Sequence, residues 1–355
     1  MGTTCIRCSQ PTEGVLCGTC RARLRVLLSA RAGVRGAVGP PLHWLQAGVA
    51  LLALVLVVGG LLRQAGAAGE PTVAGQGVWK VLGGATFFSP VGLAADRLGN
   101  LYVVDASTFR IYKLAPDGTL LATFGARGSA PGQFDRPTAI ALDPIGNLYV
   151  ADTANSRIEK LSSTGVPLGT WGSVGNGPGQ FNAPRGVAVD REDNVYVADT
   201  GNDRVIKLSP LGKTVAIWGH TGVGLGEFRE PYGISLDADG AIYVADHANN
   251  RIQKLSPSGT ALAEWGTFGP NEGQFNNPRA VAVDMHGDVY VADSFNNRIQ
   301  KLSAAGMPLA EWGGRGGQPG QFRRPEGLIV DDAGGIVVVD ADNDRLQRYV
   351  PSGTR

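Results

Sequence analysis

Apolar and polar residues alternate in four short stretches between residues 184 and 230, namely PRGVAVD, NVYVAD, RVIKL and TVAIWG. Alternation of this kind, rich in valine and isoleucine, is typical of β-strands. The segments between the stretches carry Gly, Asn, Asp and Pro, which favour turns. After residue 70 no window sustains the 3.6-residue apolar period of a helix. The pattern therefore predicts four short antiparallel strands.

The same pattern recurs six times with a period of 47 residues, starting at Pro90. Each copy has a proline in the same phase, at Pro90, Pro137, Pro184, Pro231, Pro278 and Pro325. A unit of four short strands cannot bury its faces alone, so the copies must stack on one another. The sequence therefore predicts an all-β fold, a six-bladed β-propeller.

The two ends of the repeat array complement each other. The sixth copy stops at PSGTR, where the other copies begin their fourth strand. The segment GVWKVLGG, which precedes the first copy, supplies the missing strand, with Leu82 and Gly83 in the places of Trp171 and Gly172. We expect this segment to complete blade 6, close the ring and remove its exposed sheet edges.

Three motifs of the copies resemble the NHL repeat, and copies two to five match it closely: P-x-G-[IV]-A-[LV]-D, G-N-[LIV]-Y-V-A-D and N-x-R-[IV]-x-K-[FL]. The resemblance covers about three quarters of the chain and implies the propeller fold. It is less specific for function. NHL propellers serve as protein- or RNA-binding platforms, as sensor domains of bacterial membrane kinases, and in some cases as enzymes.

All four cysteines lie near the N-terminus, as the CxxC pairs Cys5–Cys8 and Cys17–Cys20. Two tight turns carrying four thiolates offer the tetrahedral ligand set that Zn²⁺ prefers. The segment resembles a short zinc ribbon, and we expect Cys5, Cys8, Cys17 and Cys20 to bind one structural zinc ion. A dithiol redox pair and a disulfide are the alternatives, but the sequence shows no βαβ context and the topology below favours a reducing compartment.

Residues 44–62 contain no charge and one strongly polar residue, Gln46, and are long enough to span a bilayer. Six arginines precede this stretch, whereas only Arg63 follows it before Lys80. The positive-inside rule places the N-terminus in the cytoplasm and the propeller outside the cell membrane. A cleaved signal peptide is the alternative, because Ala65-Gly66-Ala67 resembles a cleavage site.

The predicted domain order has five parts. They are the zinc ribbon at 1–22, a basic juxtamembrane segment at 23–42, the transmembrane helix at 43–63, a tether at 64–76 and the propeller at 77–355. The arginines of the juxtamembrane segment either lie on the anionic leaflet or only fix the topology. The net charge of +1 gives no field that would attract nucleic acid, and we expect no nucleic-acid partner.

Polar residues that recur in every blade are expected to be structural, since they cannot form one asymmetric site. Asp152, Asn155 and Arg157, with their counterparts, fall in this class. We expect the aspartate to accept turn amides, the asparagine to tolerate a left-handed conformation, and the arginine to lie over the sheet as an ion-pair partner.

The copies differ directly after the phased proline, where they hold Val91, Thr138, Arg185, Tyr232, Arg279 and Glu326. These residues would surround the mouth of the central channel. Arginine, tyrosine and glutamate converging there could hold an anionic or polar group, so the predicted binding residues are Thr138, Arg185, Tyr232, Arg279 and Glu326. Alternatively, they are ordinary solvated rim residues.

The sequence predicts no catalytic residue. His220 and His247 belong to one face and His286 to the other, too far apart to share a metal. Residues 135–138 and VADTANSRI resemble the peptidyl-hydroxyglycine amidating lyases, whose histidine-bound metal site these positions do not reproduce.

The predicted function is a membrane-anchored adaptor or sensor whose propeller binds a protein or a small polar or anionic ligand. The alternative is an extracytoplasmic lyase or hydrolase acting at the channel mouth, similar to the amidating lyases or streptogramin lyase. The order of a zinc module and an NHL propeller also resembles the TRIM-NHL ubiquitin ligases. Four cysteines, however, supply ligands for one metal, whereas a RING holds two.

Overall fold

The computed structural model describes residues 3–4, 11–12, 77–83, 87–331 and 333–352. The chain divides into two units, Met1–Glu70 and Pro71–Arg355. In the first unit the two-residue strands Thr3–Thr4 and Pro11–Thr12 pair in antiparallel fashion. The described part of the second unit forms six four-stranded antiparallel sheets, which confirms the predicted six-bladed propeller.

Each blade runs from an innermost strand, which lines the central channel, to an outermost strand. The strands of blade 1 are Pro90–Ala95, Leu101–Asp105, Arg110–Leu114 and Leu120–Phe124. Those of blade 2 are Pro137–Leu142, Leu148–Asp152, Arg157–Leu161 and Pro167–Trp171. Those of blade 3 are Gly186–Val189, Val195–Asp199, Arg204–Leu208 and Thr214–Trp218. Those of blade 4 are Pro231–Leu236, Ile242–Asp246, Arg251–Leu255 and Ala261–Trp265. Those of blade 5 are Ala280–Val283, Val289–Asp293, Arg298–Leu302 and Pro308–Gly313. Those of blade 6 are Pro325–Val330, Ile336–Asp340, Arg345–Pro351 and Gly77–Leu82.

The N-terminal strand closes the ring as the sequence predicts. Gly77–Leu82 pairs with Arg345–Pro351 and becomes the outermost strand of blade 6. Leu82 lies opposite Leu346, just as Trp171 lies opposite Ile158 in blade 2. Joining the two ends of the repeat array in one sheet leaves no blade short of a strand.

The hydrophobic core lies between neighbouring blades. One cluster joins Tyr149 and Ile158 of blade 2 to Val187 and Val195 of blade 3, and equivalent clusters fill the other five junctions of the described ring. The second strands are buried along their whole length, because each is covered by a blade on both faces. Stacking of this kind explains why one blade is not stable alone.

Short 3-10 helices follow the second strands of blades 2 to 6, at Thr153–Asn155, Thr200–Asn202, His247–Asn249, Ser294–Asn296 and Ala341–Asn343. The recurrent asparagine tolerates a left-handed conformation, but the structure places that conformation one residue later. Asn155 belongs to the helix, and the next residue, Ser156, takes the positive φ of 51°. A left-handed residue at this point ends the helix and turns the chain into the third strand.

The connection into blade 1 is shorter than the others. Seven residues, 83–89, separate the outermost strand of blade 6 from Pro90, whereas twelve, 172–183, precede Pro184. Within the longer connection, Gly172 has a φ of 106°, and a Cβ there would lie 2.4 Å from the ring of Phe181. This close approach requires glycine at the turn.

The four cysteines, the basic segment and the apolar stretch 44–62 lie outside the described residues. Within the described ranges no helix is long and apolar enough to cross a membrane. The same ranges contain no cluster of three or more His, Cys, Asp or Glu side chains that could hold a metal ion.

Candidate ligand-binding site at the channel mouth

A repeated hydrogen bond fixes the start of the innermost strands in several blades. The hydroxyl of Thr153 donates to the carbonyl of Pro184 in the next blade, at 2.8 Å. Thr200 and Ser294 repeat the contact, each at 2.6 Å from the following proline carbonyl. This link between blades was not predicted, although the recurrence of Ser or Thr after the second aspartate is a sequence signal for it.

The variable residues after the phased prolines come together in space. Thr138, Arg185, Tyr232, Arg279 and Glu326 all line one narrow cavity of about 100 Å³, at the end of the channel where the innermost strands begin. Each lies on a different blade, so the ring geometry converts a difference between repeats into one asymmetric surface.

Tyr232 lies against two arginines of this cavity. The guanidinium of Arg185 lies 4.7 Å from the centre of the Tyr232 ring, and that of Arg279 lies 5.3 Å from it. Both contacts are within the range of cation–π interactions. The ring therefore holds two positive groups near each other at the channel mouth.

Arg279 is paired as well as stacked. Its Nη1 contacts Oε1 of Glu326, and Nε of Arg324 lies 3.3 Å from the same oxygen. The side chains of Arg279 and Glu326 are only 14% and 9% exposed. The alternative of ordinary solvated rim residues is therefore wrong for this pair, because neighbouring blades cover both groups.

Burial sets the titration of Glu326. It raises the pKa of the carboxyl, and the positive charges of Arg279 and Arg324 oppose that rise. Nη2 of Arg324 also lies 2.6 Å from Asp342, which neutralises that second arginine. In the described part of the chain Arg185 has no carboxylate partner, so the mouth has an excess positive charge.

Thr138 contributes less to the site than the other four residues. Its hydroxyl oxygen lies 2.7 Å from that of Thr153 and 3.0 Å from the carbonyl oxygen of Arg185. The hydroxyl group of Thr138 is therefore occupied by partners within the protein. Thr138 therefore supports the backbone that carries Arg185 and is not a free donor.

His247 lies beside the site and was not among the predicted binding residues. Its ring is 4.6 Å from that of Tyr232, centre to centre. Nδ1 lies 3.4 Å from the Pro278 carbonyl, and Nε2 lies 3.3 Å from Nδ2 of Asn277. Burial and the nearby Arg279 lower its pKa to about 4. His247 is thus neutral at pH 7 and replaces the Ser or Thr that links other blades.

The other two histidines lie away from this cavity. His220 is exposed, with Nε2 3.4 Å from Glu227. His286 lies in the turn after the innermost strand of blade 5, at the opposite end of the channel, 3.9 Å from Asp284. This separation agrees with the expectation that the histidines do not share a metal.

The recurrent Asp, Asn and Arg side chains brace the connections between blades. Nε of Arg204 donates to Asp199 at 2.7 Å, and its Nη2 donates to the Gln180 carbonyl at 3.0 Å. Asn202 donates to the Gly175 carbonyl at 2.8 Å. The arginine therefore pairs with the aspartate, as predicted, and it also holds the loop that enters its blade.

Arg110 of blade 1 is the exception. It occupies the same register as Arg204 but is exposed, and no ion pair joins it to Asp105 among the described contacts. The short connection into blade 1 explains this difference, because it lacks the twelve-residue loop that the arginine braces in blades 2 to 6.

A wider cavity of about 640 Å³ occupies the opposite mouth. Its wall carries exposed groups of both signs, Arg97 and Arg191 beside Glu192 and Asp239. The ring aspartates behind them are held by turn amides; Asp190, for example, accepts from the amide of Asn194 at 2.8 Å. Seven carboxylates and two arginines line this cavity, so its described lining is predominantly acidic and does not favour an anion.

Comparison with known proteins identifies the repeat. The NHL repeat matches residues 134–161, 181–208, 228–255 and 275–302. No curated protein matches the chain significantly.

Solved structures share the fold at low identity. Streptogramin B lyase is 14% identical, with a TM-score of 0.56 over 78% of this chain and 99% of its own. A gluconolactonase from Xanthomonas campestris is 15% identical, with a TM-score of 0.58 over 78% and 90%. An auxiliary nutrient binding protein from Bacteroides thetaiotaomicron is 13% identical, with a TM-score of 0.60 over 78% and 76%. The chain thus carries NHL repeats that build a six-bladed β-propeller.

Proposed function

We propose that the propeller is a binding module that holds an anionic group of a small ligand or a partner protein at the channel mouth. The observation that carries this proposal is the pair of guanidinium groups, from Arg185 and Arg279, held against Tyr232. Guanidinium groups recognise carboxylate and phosphate oxygens with paired hydrogen bonds.

The charge balance supports an anion. Glu326 neutralises Arg279 and Asp342 pairs with Arg324, which leaves the charge of Arg185 for a ligand. An anion in a narrow cavity with partly buried walls interacts with such a group more strongly than it would in bulk water. The innermost strands surround this narrow cavity, so only the end of a larger ligand would enter.

The test is calorimetric titration of the full-length chain with phosphate, sulfate and acetate. We expect saturable binding of at least one anion, weakened tenfold or more in Arg185→Ala. Arg191→Ala is the matched control, because Arg191 is an exposed arginine of the same blade at the opposite mouth. Binding that is unchanged in Arg185→Ala, or absent from the wild-type chain, would overturn the proposal.

An enzyme is the second candidate. The fold likeness to a lyase and a gluconolactonase supports it, as does a buried carboxyl group with a raised pKa at the mouth, Glu326. Against it, both nitrogens of His247 are engaged by Pro278 and Asn277, so this histidine is not a free base. Turnover of quinupristin or gluconolactone that is lost in Glu326→Gln would favour the enzyme.

We propose that the N-terminal unit binds one zinc ion through Cys5, Cys8, Cys17 and Cys20. The paired strands Thr3–Thr4 and Pro11–Thr12 flank the first CxxC pair in the sequence, which suits a ligand turn between two strands. The full-length chain is expected to contain one zinc per molecule, and Cys17→Ser to lose it. Ser9→Ala is the control beside Cys8. A wild-type chain that stays zinc-free in excess zinc would overturn this assignment.

We further propose that residues 44–62 anchor the chain in the cell membrane, with the zinc module in the cytoplasm and the propeller outside. The arginine excess before the apolar stretch supports this orientation. External protease added to spheroplasts should cut the tether at 64–76 and release the propeller, while the N-terminal unit stays protected. Protection of the propeller with cleavage of the N-terminal unit would reverse the orientation.

A further inference from the structure

Five blades share a tyrosine cluster at the end of the propeller opposite the proposed site. In blade 5, the hydroxyl of Tyr290 lies 3.3 Å from Oδ2 of Asp284, and the ammonium of Lys301 lies 5.0 Å from the ring centre. The tyrosines at this register are buried at the junction with the next blade: Tyr102, Tyr149, Tyr196, Tyr243 and Tyr290. Each ring therefore has a carboxylate at its hydroxyl and a cation on its face.

Blade 6 keeps the carboxylate and the cation of this cluster but has a valine at the register of the tyrosine. Asp331 corresponds to Asp284, Arg348 to Lys301, and Val337 to Tyr290. Two further side chains at this junction are smaller than their counterparts. Leu82 of blade 6 stands where blades 2 to 5 have tryptophan, and Ala95 of blade 1 stands where the other blades have leucine or valine.

These replacements leave a cleft of about 460 Å³ between blades 6 and 1, with Val337, Arg348 and Asp331 on one wall and Ala95 on the other. Ile329 fills part of the apolar wall. The cleft thus lies at the place where the other junctions hold a tyrosine ring.

The polar groups of the cleft have free bonding capacity. Oδ1 of Asp331 accepts from the amides of Ala333 and Gly335, at 3.0 and 2.7 Å. Oδ2, which takes the tyrosine hydroxyl in the other five blades, has no partner among the described residues and is open to solvent, because Asp331 is exposed. Nη1 of Arg348 donates to the Pro116 carbonyl, while its buried Nε has no partner in that same part of the chain.

We propose that this cleft binds a phenol ring, which takes the place of the missing tyrosine. The hydroxyl would donate to Oδ2 of Asp331, the ring face would lie under the guanidinium of Arg348, and Val337 and Ala95 would contact the ring. The five tyrosine clusters define this chemistry, since they place the same groups around a phenol. The ring is supplied by a free phenolic compound or by a tyrosine side chain of a peptide.

The test is calorimetric titration of the full-length chain with 4-methylphenol and with 4-methylanisole, which lacks the donor hydroxyl. We expect 4-methylphenol to bind at least tenfold more tightly, because only it has a hydroxyl that can donate to Asp331. Titration with N-acetyl-tyrosinamide distinguishes the two sources of the ring, a free phenolic compound and a tyrosine side chain of a peptide. Binding as tight as that of 4-methylphenol indicates a peptide, and much weaker binding indicates a free phenol.

Two variants fill the cleft from opposite walls. Val337→Tyr restores the side chain of blades 1 to 5, and Ala95→Leu restores the leucine of blades 2 and 4. Each is expected to weaken 4-methylphenol binding tenfold or more. Val189→Leu makes a matched enlargement in blade 3 and is expected to leave binding unchanged.

If Val337→Tyr does not fold, Ala95→Leu decides the question alone. The proposal is overturned by wild-type affinity in the folded cleft-filling variants, by equal binding of the phenol and the anisole, or by the absence of 4-methylphenol binding to the wild-type chain.

Discussion

Arg279 and Glu326 form a largely buried ion pair although they are one repeat, 47 residues, apart. They hold the same register in neighbouring blades, directly after the phased proline. Residues of adjacent blades at this register therefore contact each other in the folded ring. Differences between the repeats at that register build the site at the mouth.

The ion pair predicts unequal effects for the two arginines of the mouth. Arg279→Ala should lower the free energy of unfolding by about 3 kcal/mol, because Glu326 stays buried with only a long contact to Arg324. Arg185→Ala should lower it by less than about 1 kcal/mol, since it leaves no buried carboxylate unpaired. Urea denaturation of both variants measures the difference, and equal stabilities would contradict the assignment.

Arg204 and Arg110 make a matched pair at one register. Arg204→Ala removes donors from Asp199 and from loop carbonyls, and should destabilise the protein by about 3 kcal/mol. Arg110→Ala removes an exposed side chain without a described ion pair, and should change stability by less than about 0.5 kcal/mol. Thermal unfolding measures both. A large loss on truncating Arg110 would show that the connection into blade 1 is braced after all.

His247 predicts a specific dependence of stability on pH. Its pKa is about 4 in the folded chain and near 6.5 when unfolded, so the unfolded chain binds more protons between these values. Stability is therefore lost as the pH falls from 6.5 to 4, by about 3 kcal/mol for this group. His247→Ser keeps the link that Ser294 makes in blade 5 and should lose about 2 kcal/mol less between pH 7 and pH 4.5. An identical loss in the two proteins would mean that His247 is not held neutral.

The sequence is sufficient to predict the propeller, because its period, turns and strand alternation all agree. It also identifies the residues that meet at the mouth, since one register must converge at the channel. It does not show the stacking of Tyr232 between Arg185 and Arg279, which depends on side-chain directions across three blades. The loop-bracing role of Arg204 is hidden for the same reason, because its partners precede it by more than twenty residues.

Ring closure predicts a large effect of the N-terminal strand. A chain that begins at Gly84 lacks Gly77–Leu82, exposes the edge of Arg345–Pro351 and uncovers Tyr349, which contacts Trp79 at 5.3 Å between ring centres. We expect it to be several kcal/mol less stable than a chain that begins at Gln76. Thermal melting compares the two, and equal melting temperatures would refute the closure.

The measurement that tests the binding account most directly is an NMR titration of the full-length chain with phosphate, following the Nε–Hε signals of its arginines. We predict that the signals of Arg185 and Arg279 shift along one saturable curve, while those of Arg204 at its loop and Arg191 at the opposite mouth do not follow it. Saturable shifts centred on Arg191 or Arg97, with Arg185 and Arg279 unmoved, would contradict the assignment of the binding site to the channel mouth.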